Sequence, residues 1–414
     1  MRPAARLQAI ADVLAQVLAD SQPADRIMQS WGRQNRYAGS KDRRDISDRL
    51  FAILRHYGNL TARLGTDNPL MVTMLATHLL QGEPLEEVLA LADGSQYAPP
   101  PVSDADAKSL AHAAQTQPKD KAAQLAAPDW LLADIEAQLH GDTDAVLQAM
   151  TQRAPLDVRV NALKTTPQEA MEALAADGLQ ARPHGVVDGA LRFEGTPRLS
   201  ESKAFKKGLI DVQDGGAQAV AAMCAAQPFE TVMDFCAGGG GKALALAAQM
   251  QNKGRLLVHD AIETRMKGLA DRARRAGVDI IETVAPENLH GFDAQCDLVV
   301  ADVPCSGAGR WRRAPETKWR LTRDELDALC ALQGDILRQA ARLVKPGGRL
   351  AYMTCSILAS ENSRQAARFI EENQLFKLMQ SASCLGQSGQ AQLHPVNADT
   401  DGLYCAVFEK KSGA

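Results

Sequence analysis

The stretch "VMDFCAGGGGKALALA", residues 232–247, decides how this chain is read. An apolar run ends at Asp234, four glycines (Gly238 to Gly241) follow, and beyond Lys242 the pattern turns helical and rich in alanine and leucine. A strand, a tight turn and a helix follow from that order. Such a turn can cradle a ligand, and three ligands compete for it. A phosphate-binding loop needs glycine at 236 and serine or threonine after the lysine, and Cys236 and Ala243 exclude it. A dinucleotide fingerprint wants glycines at 238, 240 and 243, and the third is missing. S-adenosylmethionine lying across the first turn is the remaining reading. It requires an acidic residue at the end of the second strand to meet ribose hydroxyls. Asp260 closes "GRLLVHD" at that place. The plainer alternative is that the glycines permit close packing and Asp260 caps the following helix.

Two further stretches bear on the choice. "DLVVADVPCSGAGRWRRAPETKW" sets Asp302, Pro304 and Cys305 just past a buried strand, and "GRLAYMTCSILASEN" sets Thr354 and Cys355 at the end of another. Strand ends in an open α/β sheet are where ligands bind. Cysteines there have a chemical use. Carbon-5 of a pyrimidine is a poor nucleophile, and a thiolate adding to carbon-6 converts the ring into an enamine able to attack a sulfonium methyl. An acid at N3 eases that step, a role for Asp302 as a carboxylic acid with a raised pKa. Either cysteine alone reads equally well as a small buried apolar residue. The other cysteines, at 224, 236, 296, 330, 384 and 405, form no CxxC pair, and each is expected to be a small buried apolar residue.

Strands alternate with helices from about residue 230 to the C-terminal end, which predicts an α/β, doubly wound, mostly parallel sheet. Residues 1 to about 92 read as successive amphipathic helices. The Ala, Pro, Gln and Asp-rich segment 93–128 reads as a linker with room for one surface helix. "LDVRVNAL", "TPQEAMEALAADG" and "LIDVQD" predict a small α+β module. The expected division is 1–127 helical domain plus linker, 128–215 small module and 216–414 catalytic domain. With 414 residues, several cores are expected. A net charge of −4 does not announce a nucleic-acid binder. Basic residues nevertheless cluster at 26–63 and at 310–323, where Trp311 and Trp319 are interleaved. No signal peptide, membrane span or metal-ligand spacing is read, so a cytoplasmic, metal-free protein is expected.

"DFCAGGGGKA", "DVPCSGAGRWRRAPETKW" and "YMTCSILASEN" resemble motifs of the Sun/Nop2-type RNA cytosine-5 methyltransferases, of Rossmann-like S-adenosylmethionine-dependent class. "LDVRVNALKTT", "GLIDVQDGGAQ" and "DTDGLYCAVFEKK" match in order and spacing, so the likeness covers about 128–410. The N-terminal "NRYAGSKDRRDISDRLFAILRHYGNL" resembles the NusB-like RNA-binding domain of bacterial members that modify small-subunit ribosomal RNA. The resemblance implies Cys355 as nucleophile, Cys305 as the residue that resolves the covalent adduct, and Asp302 at the target cytosine. It implies donor contacts from Cys236, Ala237, Gly238, Gly241, Lys242, Asp260 and Asp302, and places Lys203 and Asp214 near the active-site entrance. Arg310, Arg312 and Arg313 are expected to meet RNA phosphates. The chain departs from the family at Gly238-Gly239, where Ala-Pro is common, and at Ala243, where threonine is usual. It also lacks an acid in "IIETVAPENL" to hold adenine, leaving Glu287 or a backbone amide as substitutes. The implied function is methylation of cytosine carbon-5 in 16S ribosomal RNA by a monomer. The same chemistry on transfer RNA, or an idle RNA-binding assembly factor, are the rivals.

Overall fold

The structure is a computed structural model, and it describes residues 1–379 and 389–412; Cys384 lies outside them. The chain forms two compact units. Met1–Glu136, Gly141–Arg153 and Arg310–Leu321 make a helical unit, and Ala137–His140, Ala154–Gly309 and Thr322–Ala414 make an α/β unit.

The helical unit is built on Pro3–Ala19, Ala24–Gln34, Ser40–Leu64 and Pro69–Gln81. Their apolar stripes meet in one core that includes Leu14, Val17, Leu50, Leu54, Val72 and Leu75. Gly65 and Gly82 close two of these helices in the left-handed region, and Asn68 caps the next by accepting from the Leu70 and Met71 amides. The segment read as a linker is instead part of this unit. Ser103 and Asp120 cap the helices Asp104–Gln115 and Lys121–Gln124, and Leu110, Ala113 and Ala122 are buried. Its composition is low in large apolar residues, so alanine supplies the contact surface and the periodicity is faint. The boundary between units lies at about Arg153, close to where the α+β pattern starts in the sequence, at about 151, and later than the division drawn at 128.

The α/β unit begins with four short strands, β1 (Leu156–Val160), β2 (Ala181–Pro183), β3 (Ala190–Phe193) and β4 (Ile210–Val212), in the antiparallel order β2-β3-β1-β4. The helix Pro167–Ala176, started by a Thr166/Glu169 capping box, packs on this small sheet through Ala170 and Leu174. β2 and β3 were not anticipated, because they are only three and four residues long.

The main sheet contains β5 (Thr231–Asp234), β6 (Arg255–Val258), β7 (Ile281–Thr283), β8 (Cys296–Asp302), β9 (Val344–Thr354), β10 (Phe376–Leu378), β11 (Gln390–Leu393) and β12 (Leu403–Lys410). Its order is β10-β12-β9-β8-β5-β6-β7, with β11 beside β12. β7, β6, β5, β8 and β9 are parallel, and β12 inserts antiparallel to β9. The central strands are buried on both faces, as their near-continuous apolar sequences require. The chain order reverses between β5 and β8, which opens a crevice at their carboxyl ends.

Candidate active site

The glycine turn leaves β5 at that crevice. Gly238 and Gly240 adopt positive φ (49° and 79°), and Gly240 is the N-cap of the helix Gly241–Gln249. A Cβ at Gly240 would stand 2.1 Å from Leu269 Cδ1, so backbone and packing both demand glycine here. Asp260, 2% exposed, accepts from the Gly238 amide at 2.9 Å through Oδ2 and from the Ile262 amide through Oδ1. Arg265 lies 3.4 Å from the same Oδ2. Asp260 thus braces the turn itself.

Asp234 was read only as the end of a strand. Its carboxylate is buried, and neither oxygen finds a partner at hydrogen-bond geometry. Burial first, and then the negative charge of Asp302, push its pKa up to about 7. A buried, unmatched acceptor pair beside a glycine turn and a helix N-terminus suits the cationic, amine-bearing donor expected there. An acidic residue closing an otherwise apolar run was the available signal.

Across the turn, Lys242 Nζ donates to Asp302 Oδ2 at 2.5 Å. Burial disfavours the Lys242 ammonium, yet the Asp302 carboxylate more than offsets this and holds its pKa above the ordinary value. Asp302, expected from the sequence to serve as an acid, is thus ion-paired with Lys242.

The two cysteine loops leave β8 and β9 side by side, as the parallel pairing of Asp302 with Met353 requires. Cys305 Sγ and Cys355 Sγ stand 3.2 Å apart, and the Cys355 amide donates to Cys305 Sγ at 3.3 Å. The hydrogen bond to Cys355, then burial, raise the Cys305 thiol well above its usual pKa. Cys224 and Cys296 are thiols of another kind: buried in the core, each pushed up to about 12 by desolvation.

The other expected site residues have the following places. Lys203 is exposed at the start of the short helix Lys203–Lys206. Asp214 is the N-cap of Gly215–Met223, accepting from the Gly216 amide. Glu287 is exposed on a short 3-10 helix. Arg310 is exposed and Arg313 half-buried, but Arg312 is buried in the helical unit and donates to the Arg153 carbonyl. Arg312 is therefore corrected from a phosphate contact to a packed residue. The tryptophans are also packed: Trp311 is 1% exposed, and Trp319 Nε1 donates to the Leu54 carbonyl at 2.7 Å. Among the described residues no helix is long and apolar enough to cross a membrane, and no cluster of His, Cys, Asp or Glu could hold a metal ion.

Comparison with known proteins agrees with this geometry. Residues 221–409 match the family model of the 16S rRNA methyltransferase RsmB/F, and residues 127–199 match its RsmF/B-like ferredoxin-like domain. The ribosomal RNA small subunit methyltransferase B of Yersinia pseudotuberculosis, like that of Yersinia pestis, is 31% identical over 288 residues, 69% of this chain. The match spans 66% of those relatives' length. The solved protein PH0851 superposes with a TM-score of 0.76 at 25% identity over 99% of both chains. A methyltransferase homologue from Pyrococcus horikoshii shares the fold at a TM-score of 0.60 and 23% identity, covering 70% of this chain and 98% of its own. The chain belongs to the RsmB/F family of methyltransferases, whose methyl donor is S-adenosylmethionine.

Proposed function

We propose that this protein methylates carbon-5 of cytosine in RNA, with 16S ribosomal RNA as substrate, through a covalent cysteine adduct. The observation that carries this reading is the Cys305–Cys355 sulfur pair at 3.2 Å, set beside the Lys242–Asp302 ion pair at one sheet edge. Two half-buried thiols in contact at a strand edge have no structural purpose that a pair of alanines or valines would not meet. Thiol chemistry on a pyrimidine needs both of them.

Cys236, Ala237, Gly238, Gly241, Lys242 and Asp260 hold the donor in this reading, with Asp302 at its methyl end and Asp234 facing its cationic part. S-adenosylmethionine, when bound, supplies an electrophilic methyl group. Cys355, as thiolate, forms the Sγ–C6 bond, and the electron pair displaced toward N3 is met by a proton from the Lys242–Asp302 pair. Carbon-5, now part of an enamine, takes the methyl group. Cys305, having given its proton to solvent, removes the C5 proton while the Sγ–C6 bond breaks, Cys355 leaves as thiolate and N3 returns its proton to the Lys242–Asp302 pair. Its raised pKa makes it a strong base once ionised. The base must be unstacked from any helix to reach these groups, and exposed Lys203 and Arg310 with half-buried Arg313 are the proposed phosphate contacts.

The test is methylation of purified 16S rRNA with labelled donor, followed by mapping of the modified base. Cys355→Ala should abolish transfer, and Cys305→Ala should accumulate a denaturant-stable protein–RNA adduct. Full-rate transfer by Cys355→Ala would refute the mechanism. Label on transfer RNA but not on 16S rRNA would refute the substrate.

A further inference from the structure

The residues flanking the two cysteines are gripped from one place. Ser306, next to Cys305, donates its amide to Glu361 Oε1 at 2.8 Å and its hydroxyl to Glu361 Oε2 at 2.5 Å. Pro304, on the other side of Cys305, offers its carbonyl to Gln333 Nε2 at 3.0 Å, and the same Nε2 donates to Glu361 Oε1 at 2.9 Å. Thr354, next to Cys355, donates its hydroxyl to Asn362 Oδ1 at 2.6 Å. Ser356, on the other side, offers its carbonyl to Asn362 Nδ2 at 2.9 Å. Glu361, Asn362 and Gln333 are each fully buried. Tyr352 adds a hydrogen bond to the Glu361 carbonyl, and Gln392 accepts from Asn362.

We propose that Glu361 and Asn362 are positioning residues for the two sulfurs: two consecutive side chains, at the start of the helix Ser363–Glu372, hold one cysteine loop each and so set the distance between Cys305 and Cys355. The inference deepens the covalent mechanism proposed above and rests on it for its catalytic consequence.

Three features of the arrangement support it. Buried polar side chains cost free energy unless they are satisfied, and here their hydrogen bonds go to the residues immediately before and after each cysteine. The two grips share one peptide unit, so their relative placement cannot drift. A neutral residue of similar shape could also hold Ser306, but a carboxylate does more. Beside the Cys355 hydrogen bond and burial, its charge further disfavours the Cys305 thiolate.

The sulfur separation can be read without RNA or methyl transfer. Diamide oxidises two adjacent thiols to a disulfide and is itself reduced to the hydrazine, and the product is quantified by mass spectrometry of the full chain. Glu361→Ala and Asn362→Ala should each slow the Cys305–Cys355 cross-link at least tenfold, because released loops lower the effective concentration of one thiol at the other. Both should lower kcat on 16S rRNA at least tenfold while KM for RNA and donor affinity stay within threefold. Glu361→Gln should restore cross-linking to within threefold of the parent. It should also speed alkylation of Cys305 by iodoacetamide at a given pH, since the opposing charge is gone. Should an alanine variant fail to fold, Glu361→Gln and Ser306→Ala carry the test, Ser306→Ala slowing the cross-link severalfold. Parental cross-linking rates in Glu361→Ala and Asn362→Ala, or unchanged Cys305 alkylation in Glu361→Gln, would overturn the proposal. Survival of methylation in Cys355→Ala would overturn the covalent mechanism while leaving the cross-linking result to stand by itself.

Discussion

Lys318 offers a sharp test of how the segment Arg310–Leu321 is held in the helical unit. Its side chain is 2% exposed, and Nζ lies 5.2 Å and 4.8 Å from the ring centres of Trp311 and Trp319. Nζ also donates to the Arg55 carbonyl at 3.3 Å. The charged groups around it are Arg55, Arg312 and the buried Glu316, whose Oε1 accepts from the Ala24 amide, with His56 adjacent on the same helix as Arg55. Burial, and then the Arg55 charge, push the Lys318 pKa down from 10.5 to about 7. The folded state therefore binds fewer protons than the unfolded one between pH 7 and 10.5, and stability rises with pH across that window. At ~1.4 kcal/mol per unit the full displacement is worth about 5 kcal/mol. All four tryptophans, Trp31, Trp130, Trp311 and Trp319, lie in the helical unit, so urea unfolding followed by fluorescence reports that unit. Between pH 7.0 and 9.5 the parent should gain about 3 kcal/mol more than Lys318→Met, with most of the window crossed. Equal gains in the two proteins would refute a buried, discharged Lys318.

Gly58 sits inside the helix Ser40–Leu64, where alanine would ordinarily add about 1 kcal/mol of helix propensity. A Cβ there would meet Trp319 at 2.5 Å, so Gly58→Ala should instead lower stability, by about 2 kcal/mol net; a higher melting temperature would show that Trp319 does not pack on this helix. Asp234→Asn should stabilise the free protein at pH 8 by about 2 kcal/mol, because a carboxyl with a raised folded pKa loses stability as pH rises from 3.8 through about 7. The same variant should weaken donor binding at least tenfold by calorimetry, and unchanged affinity would remove Asp234 from the donor site. Gly240→Ala should weaken donor binding at least tenfold by calorimetry, since its φ of 79° strains any side chain and Leu269 would have to shift.

Much of the site was legible in the sequence because its elements are short-range. A strand, a glycine turn and a helix follow one another within sixteen residues, and the two cysteines each mark the end of an apolar run. The likeness of three motifs to a known family then ranked residues that spacing could not. The segment 93–128 was misread because alanine packs without leaving a strong period, and the basic run at 310–323 because charge reads as surface. There Arg312 and Lys318 are buried by partners hundreds of residues away, such as the Arg55 carbonyl for Lys318.

The sequence by itself determined the alternation of strands and helices, the glycine turn, and which side chains can do thiol and acid–base chemistry. Only the tertiary structure decided that Lys242 pairs with Asp302, that Asp234 is buried without a well-formed hydrogen bond among the described residues, and that Cys305 and Cys355 touch. It alone revealed that Glu361 and Asn362 hold the two cysteine loops. The physical reason is that hydrogen bonds and ion pairs act over about 3 Å, whereas these partners are separated by up to 60 positions along the chain. Sheet order and strand register bring them together, and neither is written in any local stretch of residues.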